Sequence, residues 1–139
     1  MNGRKVFVDT NILVYAHDCG AGKKHRIAQP KVAALWRGNP IPSLSVQVLQ
    51  ELYATLLRKD VPQDEALRTV EDHLLWHVVE NNRALLLDGI LLHQRHQVSF
   101  WDGLILAAAR AAGAAELWSE DFAAGRRYDG VLVVNPLVD

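Results

Sequence analysis

The sequence predicts an α/β fold of three layers, in which a central parallel sheet of about five short strands is flanked by helices. Short apolar runs alternate along the chain with longer segments in which apolar residues recur every three or four positions. This alternation is typical of strands joined by crossover helices. The 139 residues, half of them hydrophobic, are enough for one hydrophobic core, so we expect a single domain over residues 1–139.

Five short runs are the candidate strands. Each is a run of three or four mostly apolar residues, and four of the five contain β-branched residues. The segments between them are long enough to carry helices, which favours parallel pairing of the strands. The runs are Val6–Val8, Ile41–Leu44, His77–Val79, Glu116–Trp118 and Val131–Val134.

Two helices are predicted between the second and third strands. Apolar residues over positions 46–57 fall on one helical face, and Ser45 is suited to cap that helix at its N-terminus. The next helix should begin after Pro62, because the acidic residues that follow it would occupy the first turn. It should end near Trp76. Its predicted buried side consists of Ala66, Leu67, Val70 and Leu74.

Three further segments have a helical pattern. Positions 82–96 form one predicted helix, in which Gly89 is a mild weakness. Positions 101–112 are apolar nearly all round, which predicts a central helix packed on several sides. The segment over positions 26–37 also suits a helix, but Pro30 has no amide hydrogen to donate, so we expect a kink or a helix that begins near Pro30.

Composition limits the class of protein. The longest apolar stretches are far shorter than the roughly 20 residues of a membrane span, and no export signal is visible at the N-terminus. Cys19 is the only cysteine, so an internal disulfide or a cysteine-rich zinc site is excluded. The six histidines lack metal-site spacing. We therefore expect a protein of the cytoplasm.

The formal net charge of −1 differs from the basic charge of most proteins that bind nucleic acid over a wide area. Any attraction to phosphate must come from local basic clusters. The candidates are Lys23, Lys24 and Arg26, the pair Arg58 and Lys59, and the pair Arg126 and Arg127.

Four acidic residues are predicted to meet at one edge of the sheet. Asp9 directly follows the first strand, and Asp121 follows the strand at positions 116–118 by a few residues. Glu51 lies in the second turn of the helix after the second strand, whereas Asp102 joins the others only if the loop before its helix rises to that edge. Ligands of open α/β sheets bind along the carboxyl edge of the strands.

Such a cluster of carboxylates needs a cation or protons, because two unit charges about 4 Å apart repel by roughly 4 kcal/mol at an effective dielectric near 20. Oxygen ligands without Cys or His favour Mg²⁺ or Mn²⁺. An ion held in this way can activate water and neutralise charge on a phosphate. The residues therefore predict phosphodiester hydrolysis.

Four fragments together resemble the motifs of PIN-domain proteins, in the proper order and over nearly the whole chain. They are VDTNILVY at positions 8–15, SVQVLQEL at 45–52, SFWDGLILAAA at 99–109 and LWSEDF at 117–122. The resemblance is greatest to VapC-type toxins of bacterial toxin–antitoxin pairs. It implies a Mg²⁺- or Mn²⁺-dependent endoribonuclease that acts on RNA, is commonly a homodimer and is inhibited by a cognate VapB-like antitoxin.

The resemblance also implies roles for individual residues. The catalytic quartet that holds metal and orients the attacking water would be Asp9, Glu51, Asp102 and Asp121. The metal ligands among them would be Asp9, Asp102 and Asp121. Supporting polar residues would be Asn11, Ser119, which stands where the family often has Thr, and Glu120, which could assist or replace Asp121.

Other interpretations of these residues stay open. Asp9 and Asp102 also suit helix or turn caps. We expect Trp101 to be buried, with a place beside a substrate path as the alternative. An aspartyl phosphatase would carry a second Asp where this chain has Asn11, and a receiver domain would need a phosphoacceptor Asp after a central strand. A PIN-like module that only binds protein or RNA would typically have lost one of the four acids.

Overall fold

Six strands form one sheet in the computed structural model, which describes residues 3–138. Residues 1, 2 and 139 of the expected domain lie outside the described residues. In chain order the elements are β1 (Val6–Val8), α1 (Thr10–His17), α2 (Lys23–Arg37), β2 (Ser43–Ser45), α3 (Val46–Arg58), α4 (Gln63–His73), β3 (His77–Val79), α5 (Arg83–His96), α6 (Phe100–Ala111), β4 (Glu116–Trp118), β5 (Arg127–Tyr128) and β6 (Val131–Val134).

The strand order β3-β2-β1-β4-β6-β5 places β1 and β4 side by side near the middle of the sheet. From β1 the chain moves outward through β2 to β3, and then returns to the other side of β1 as β4. The connections therefore change direction between β1 and β4, and ligand sites of open α/β sheets form at the carboxyl ends of the strands at such a point. Val8 pairs with Trp118 there, so the residues that follow these two strands are brought together.

The predicted fold class is confirmed: the sheet is mostly parallel and is flanked by helices. The second strand begins at Ser43, two residues later than predicted, and Ile41 before it is exposed. A sixth strand, β5, was not predicted and pairs antiparallel with β6. Its two residues, Arg127 and Tyr128, carry no alternation of polarity long enough to be recognised.

The helices differ from the predictions mainly at their ends. Of the two alternatives expected around Pro30, a kink or a helix that begins there, the second is wrong, since α2 begins at Lys23 and contains Pro30 in its interior. α4 ends at His73 rather than near Trp76. α1, which was not assigned, is eight residues long and begins directly after Asp9. No helix within residues 3–138 combines the length and the apolar composition needed to cross a membrane.

The predicted buried side of α4 is only partly buried. Ala66 is fully covered, but Leu67 and Leu74 are 51% and 54% exposed. The reason is that α4 packs against α3, and no other described element covers the outer half of its apolar face. With Val46, Leu49, Gln50, Tyr53 and Val70, these two leucines line an open apolar groove between α3 and α4.

A close approach of α5 and α6 places the start of α6. A Cβ atom on Gly103 would lie 2.4 Å from the Gly89 carbonyl oxygen, and one on Gly89 would lie 2.5 Å from Leu104 Cδ2. A Cβ on Gly89 would also lie 3.2 Å from Leu104 Cα, so this glycine, predicted only as a mild weakness of its helix, contributes to the close packing. The contact packs the start of α6, which carries Asp102 beside Gly103, against α5.

We predict that Gly103→Ala lowers the free energy of unfolding by about 2 kcal/mol, measured by urea denaturation. Alanine favours a helix by about 1 kcal/mol over glycine, but the new methyl group would overlap backbone atoms of α5, and overpacking typically costs about 1–3 kcal/mol. Gly38→Ala is the control, because a Cβ there meets only ordinary contacts at 3.5 Å and the backbone is extended. An equally small loss in both variants would contradict the close packing of α5 on α6.

Candidate active site

All four predicted acids line one cavity of about 250 Å³ at the carboxyl ends of β1 and β4. The strands contribute the loops that carry Asp9 and Asp121, whereas α3 and α6 contribute Glu51 and Asp102. Asp102 was expected to join the other acids only if the loop before its helix rises to this edge, and its place in the cavity wall meets that condition. The complete lining is Asp9, Thr10, Asn11, Gln47, Glu51, Thr55, Arg58, Trp101, Asp102, Ile105 and Asp121.

Asp9 is the most buried acid of the cavity, with 5% of its surface exposed. It ends β1 and caps α1, so its Oδ1 accepts a hydrogen bond from the Thr10 amide at 2.8 Å. Its Oδ2 accepts a hydrogen bond from the Ser119 hydroxyl, also at 2.8 Å. Burial raises the pKa of Asp9 from 3.8 to about 7, with smaller contributions from the charges of Asp121 and Glu51. The residue is thus both a helix cap and a cavity residue.

Ser119 connects the two loops of the site. Its hydroxyl is fully buried, donates to Asp9 and accepts a hydrogen bond from the Asp121 amide at 3.0 Å. The Asn11 side chain donates to Asp121 Oδ2 at 3.5 Å. Two of the three supporting residues expected from the sequence, Asn11 and Ser119, therefore contact the acids, and Asn11 orients a carboxylate from the position where a phosphatase would carry a second Asp.

Glu51 and Asp102 close the other side of the cavity. The Thr10 hydroxyl donates to Glu51 Oε1 at 2.6 Å, which ties α3 to the start of α1. Asp102 lies in the first turn of α6, where Ser99 is the N-cap. Burial raises the pKa of Asp102 first, and the charges of Asp121 and Glu51 raise it further. Burial likewise raises the pKa of Asp121, followed by the charges of Glu120 and Glu51.

The Glu120 side chain makes its hydrogen bonds outside the cavity, whereas its neighbour Asp121 lines the cavity. Glu120 accepts hydrogen bonds from the Tyr15 hydroxyl at 2.5 Å and from Lys24 Nζ at 3.2 Å. These contacts brace the loop against α1 and α2. The sequence alone left open which of the two neighbouring acids points inward.

The donor set of the cavity fits a hard divalent cation. Four carboxylates line the cavity, and burial, reinforced by the charges of neighbouring acids, raises the pKa of Asp9, Asp102 and Asp121, so the charged forms of these acids are disfavoured in the metal-free protein. Among residues 3–138, no three His, Cys, Asp or Glu side chains stand close enough to hold a metal ion together. Mg²⁺ needs only one or two direct carboxylates because it keeps several waters.

Several expectations about the surroundings are altered by the structure. The expectation that Trp101 is buried is wrong, since 61% of its surface is exposed. Of the basic clusters, Arg58 reaches the cavity wall and donates to Thr55 Oγ1 at 2.8 Å, whereas Lys59 pairs with Asp18. Sequence reasoning missed three polar lining residues, Thr10, Gln47 and Thr55. Thr10 and Gln47 lie inside quoted motifs, and Gln47 and Thr55 each lie one helical turn from Glu51 on α3.

The PIN-domain family model matches residues 6–129. This region begins at β1 and contains every residue that lines the cavity. A comparison with curated proteins gives no match.

Several solved structures share the fold. The VapC20 toxin of Mycobacterium tuberculosis, described as cleaving the sarcin–ricin loop, has a TM-score of 0.69 and 22% identity over 84% of this chain and 90% of its own. A toxin–antitoxin complex from Klebsiella pneumoniae has a TM-score of 0.70 and 23% identity over 95% and 98%. VapBC2 of Rickettsia felis, bound to promoter DNA, has a TM-score of 0.62 and 18% identity over 92% and 96%.

We predict that Asp9 makes the stability of the protein fall as the pH rises, when a chelator is present. A carboxyl whose pKa is higher in the folded than in the unfolded state stabilises the fold below about pH 4, and this contribution is lost by about pH 7. Asp9→Asn removes the titration and keeps the side-chain shape. Its free energy of unfolding should therefore rise relative to the wild type, by on the order of 3 kcal/mol, between these pH values.

The measurement is chemical denaturation of both proteins at a series of pH values. His17 and the buried His73 have a pKa lowered chiefly by desolvation and therefore give the opposite slope. They are common to both proteins, so the difference between the two curves isolates Asp9. If the free energies of unfolding of the two proteins instead changed in parallel with pH, Asp9 would have an ordinary pKa, and its surroundings would compensate the cost of burying its charge.

Proposed function

We propose that this chain, which belongs to the PIN-domain family, is a metal-dependent endoribonuclease that acts in the cytoplasm as the toxin of a type II toxin–antitoxin pair. The observation that carries the proposal is the convergence of Asp9, Glu51, Asp102 and Asp121 on one cavity. Purely structural acids would have no reason to meet where two strand ends and two helices join. A binding module without catalysis would have no use for the complete set.

The metal ion would be Mg²⁺ or Mn²⁺, with Asp9, Asp102 and Asp121 as its ligands: one or two of these carboxylates would bind the ion directly and the others through its coordinated waters. When bound, such an ion lowers the pKa of a coordinated water and neutralises charge on the phosphate. The protein prepares the ligands for it: Ser119 and the Thr10 amide fix both oxygens of Asp9, and Asn11 fixes Asp121. A bound cation would also offset the unfavourable free energy of the buried Asp9 charge, which raises the pKa of that carboxyl in the metal-free protein.

The remaining polar residues of the cavity would act on the substrate. In hydrolysis a water oxygen bonds to phosphorus, one bridging P–O bond breaks and the leaving oxygen takes up a proton. Glu51 is suited to orient the water and accept its proton, because Thr10 holds only its Oε1. Arg58 carries a guanidinium on the cavity wall, which suits a phosphate oxygen.

The partners proposed are a cognate VapB-like antitoxin and a second copy of the chain. The apolar groove between α3 and α4, with Leu67 and Leu74 more than half exposed, is a surface of the kind that protein partners cover. Solved structures with the same fold include toxin–antitoxin complexes.

The proposed function predicts that RNA cleavage depends on a divalent metal ion and on the acids of the cavity. Purified protein should cut RNA in Mg²⁺ or Mn²⁺ and not in EDTA. Asp9→Asn should lower the single-turnover rate by at least 100-fold, because it removes a charged ligand from the centre of the site, and Asp121→Asn should act similarly. A gel assay with end-labelled RNA measures both.

The matched control for Asp121→Asn is Glu120→Gln, one residue away. It should cut within about threefold of the wild-type rate, because Glu120 is bonded to Tyr15 and Lys24 outside the cavity. Full activity in EDTA or in Asp9→Asn would refute the mechanism. Loss of activity in Glu120→Gln with retention in Asp121→Asn would reverse the assignment of the two acids.

A second prediction concerns assembly. Size-exclusion chromatography with light scattering should show a dimer of the chain alone and a larger complex with the product of a short reading frame adjacent to its gene. That product should also block RNA cleavage. A monomer with no such binding partner would refute the toxin–antitoxin assignment and leave the nuclease assignment intact.

A further inference from the structure

A second pocket, of about 440 Å³, adjoins the carboxylate cavity. Its lining is largely apolar and includes Leu85, Leu104 and Trp101, and the polar residues Gln47, Gln50 and Asn82 also belong to the lining. Gln47 and Trp101 belong to both cavities. Whatever occupies this pocket therefore lies next to the four acids.

Trp101 is placed to offer an aromatic surface. It is 61% exposed although it precedes Asp102 in the first turn of α6. Its ring packs edge-on against Phe100, with the ring centroids 4.9 Å apart. Stacking of a base on an aromatic side chain typically contributes about 1–3 kcal/mol to binding. The exposed indole of Trp101 can offer such a stacking surface, whereas a buried core side chain cannot.

Hydrogen bonds orient the side-chain amides of two of these polar residues. Gln47 is buried and donates through Nε2 to the Trp101 carbonyl oxygen at 3.4 Å. Asn82 accepts through Oδ1 from the Leu85 amide at 2.9 Å, as the N-cap of α5. The second heavy atom of each amide, an acceptor on Gln47 and a donor on Asn82, makes no hydrogen bond with the described residues.

We propose that this pocket binds one unpaired nucleobase next to the phosphate that is cut. Trp101 supplies the stacking surface, and Gln47 and Asn82 supply an acceptor and a donor for the edge of the base. A base has both an aromatic face and a polar edge, whereas an aliphatic side chain of a protein partner would leave both amides unused. Bases in a duplex are stacked and paired, so the occupant comes from a loop or a single strand. That this ligand belongs to RNA rests on the proposed function.

The test measures RNA binding separately from cleavage. In the Asp9→Asn background with EDTA, a single-stranded RNA of ten nucleotides containing 2-aminopurine should bind with fluorescence quenching. Adding Trp101→Ala should weaken binding about tenfold, and Trp101→Phe should weaken it less because a ring remains. A fully paired duplex of the same sequence should bind the parent and Trp101→Ala proteins alike.

Leu75→Ala is the control, because Leu75 is 71% exposed and belongs to neither cavity. It should match its parent in RNA binding and, with Asp9 intact, in cleavage. Unchanged affinity in Trp101→Ala would overturn the base site even if the protein cleaves RNA. Binding that depends on Trp101 in a protein that never cleaves would support the base site and refute the nuclease. If Trp101→Ala instead converts a dimer to a monomer with unchanged RNA affinity, Trp101 is a contact between copies and the base site is overturned.

Discussion

The burial of one carboxylate, Asp9, is the constraint on which the candidate site depends. Asp9 stands where β1 ends and α1 begins, beside the end of β4, and both of its oxygens are held by the protein. An ionised carboxylate in such a place is unfavourable without a partner of opposite charge, and here its nearest titratable neighbours include two more acids. The protein therefore keeps an acid whose charged form is unfavourable at the carboxyl end of a central strand. Functional residues often make a protein less stable than its fold alone would allow.

The surrounding structure concentrates this charge rather than dispersing it. Ser119 joins the Asp9 and Asp121 loops through a single buried hydroxyl, and Thr10 brings Glu51 to the same place. The close approach of Gly89 and Gly103 packs the start of α6, which carries Asp102, against α5. By contrast, Lys24 is engaged by Glu120 outside the cavity. The basic side chain that lines the cavity is Arg58, which is suited to an anionic substrate.

The sequence predicted where the acids lie because their positions follow from topology. Residues after parallel strands meet at one edge, so Asp9 and Asp121 could be placed before any side chain was seen. The direction of Glu120 could not, because it depends on Tyr15 and Lys24, which lie about 100 residues away in the chain. The exposure of Trp101, Leu67 and Leu74 was missed for a related reason: an apolar residue on a helical face is buried only if another element covers it. The two-residue strand β5 carries too little pattern to be recognised.

The most direct test of the account is Mn²⁺ binding to the full chain, measured by isothermal titration calorimetry at pH 6.5 in two buffers of different ionisation enthalpy. The account predicts that binding releases a substantial fraction of a proton, because Asp9 is largely protonated at that pH in the metal-free protein. Asp9→Asn should bind at least tenfold more weakly and release much less. Equal affinity in both proteins, or binding without proton release, would contradict the claim that the buried Asp9 carboxylate is the centre of a cation site.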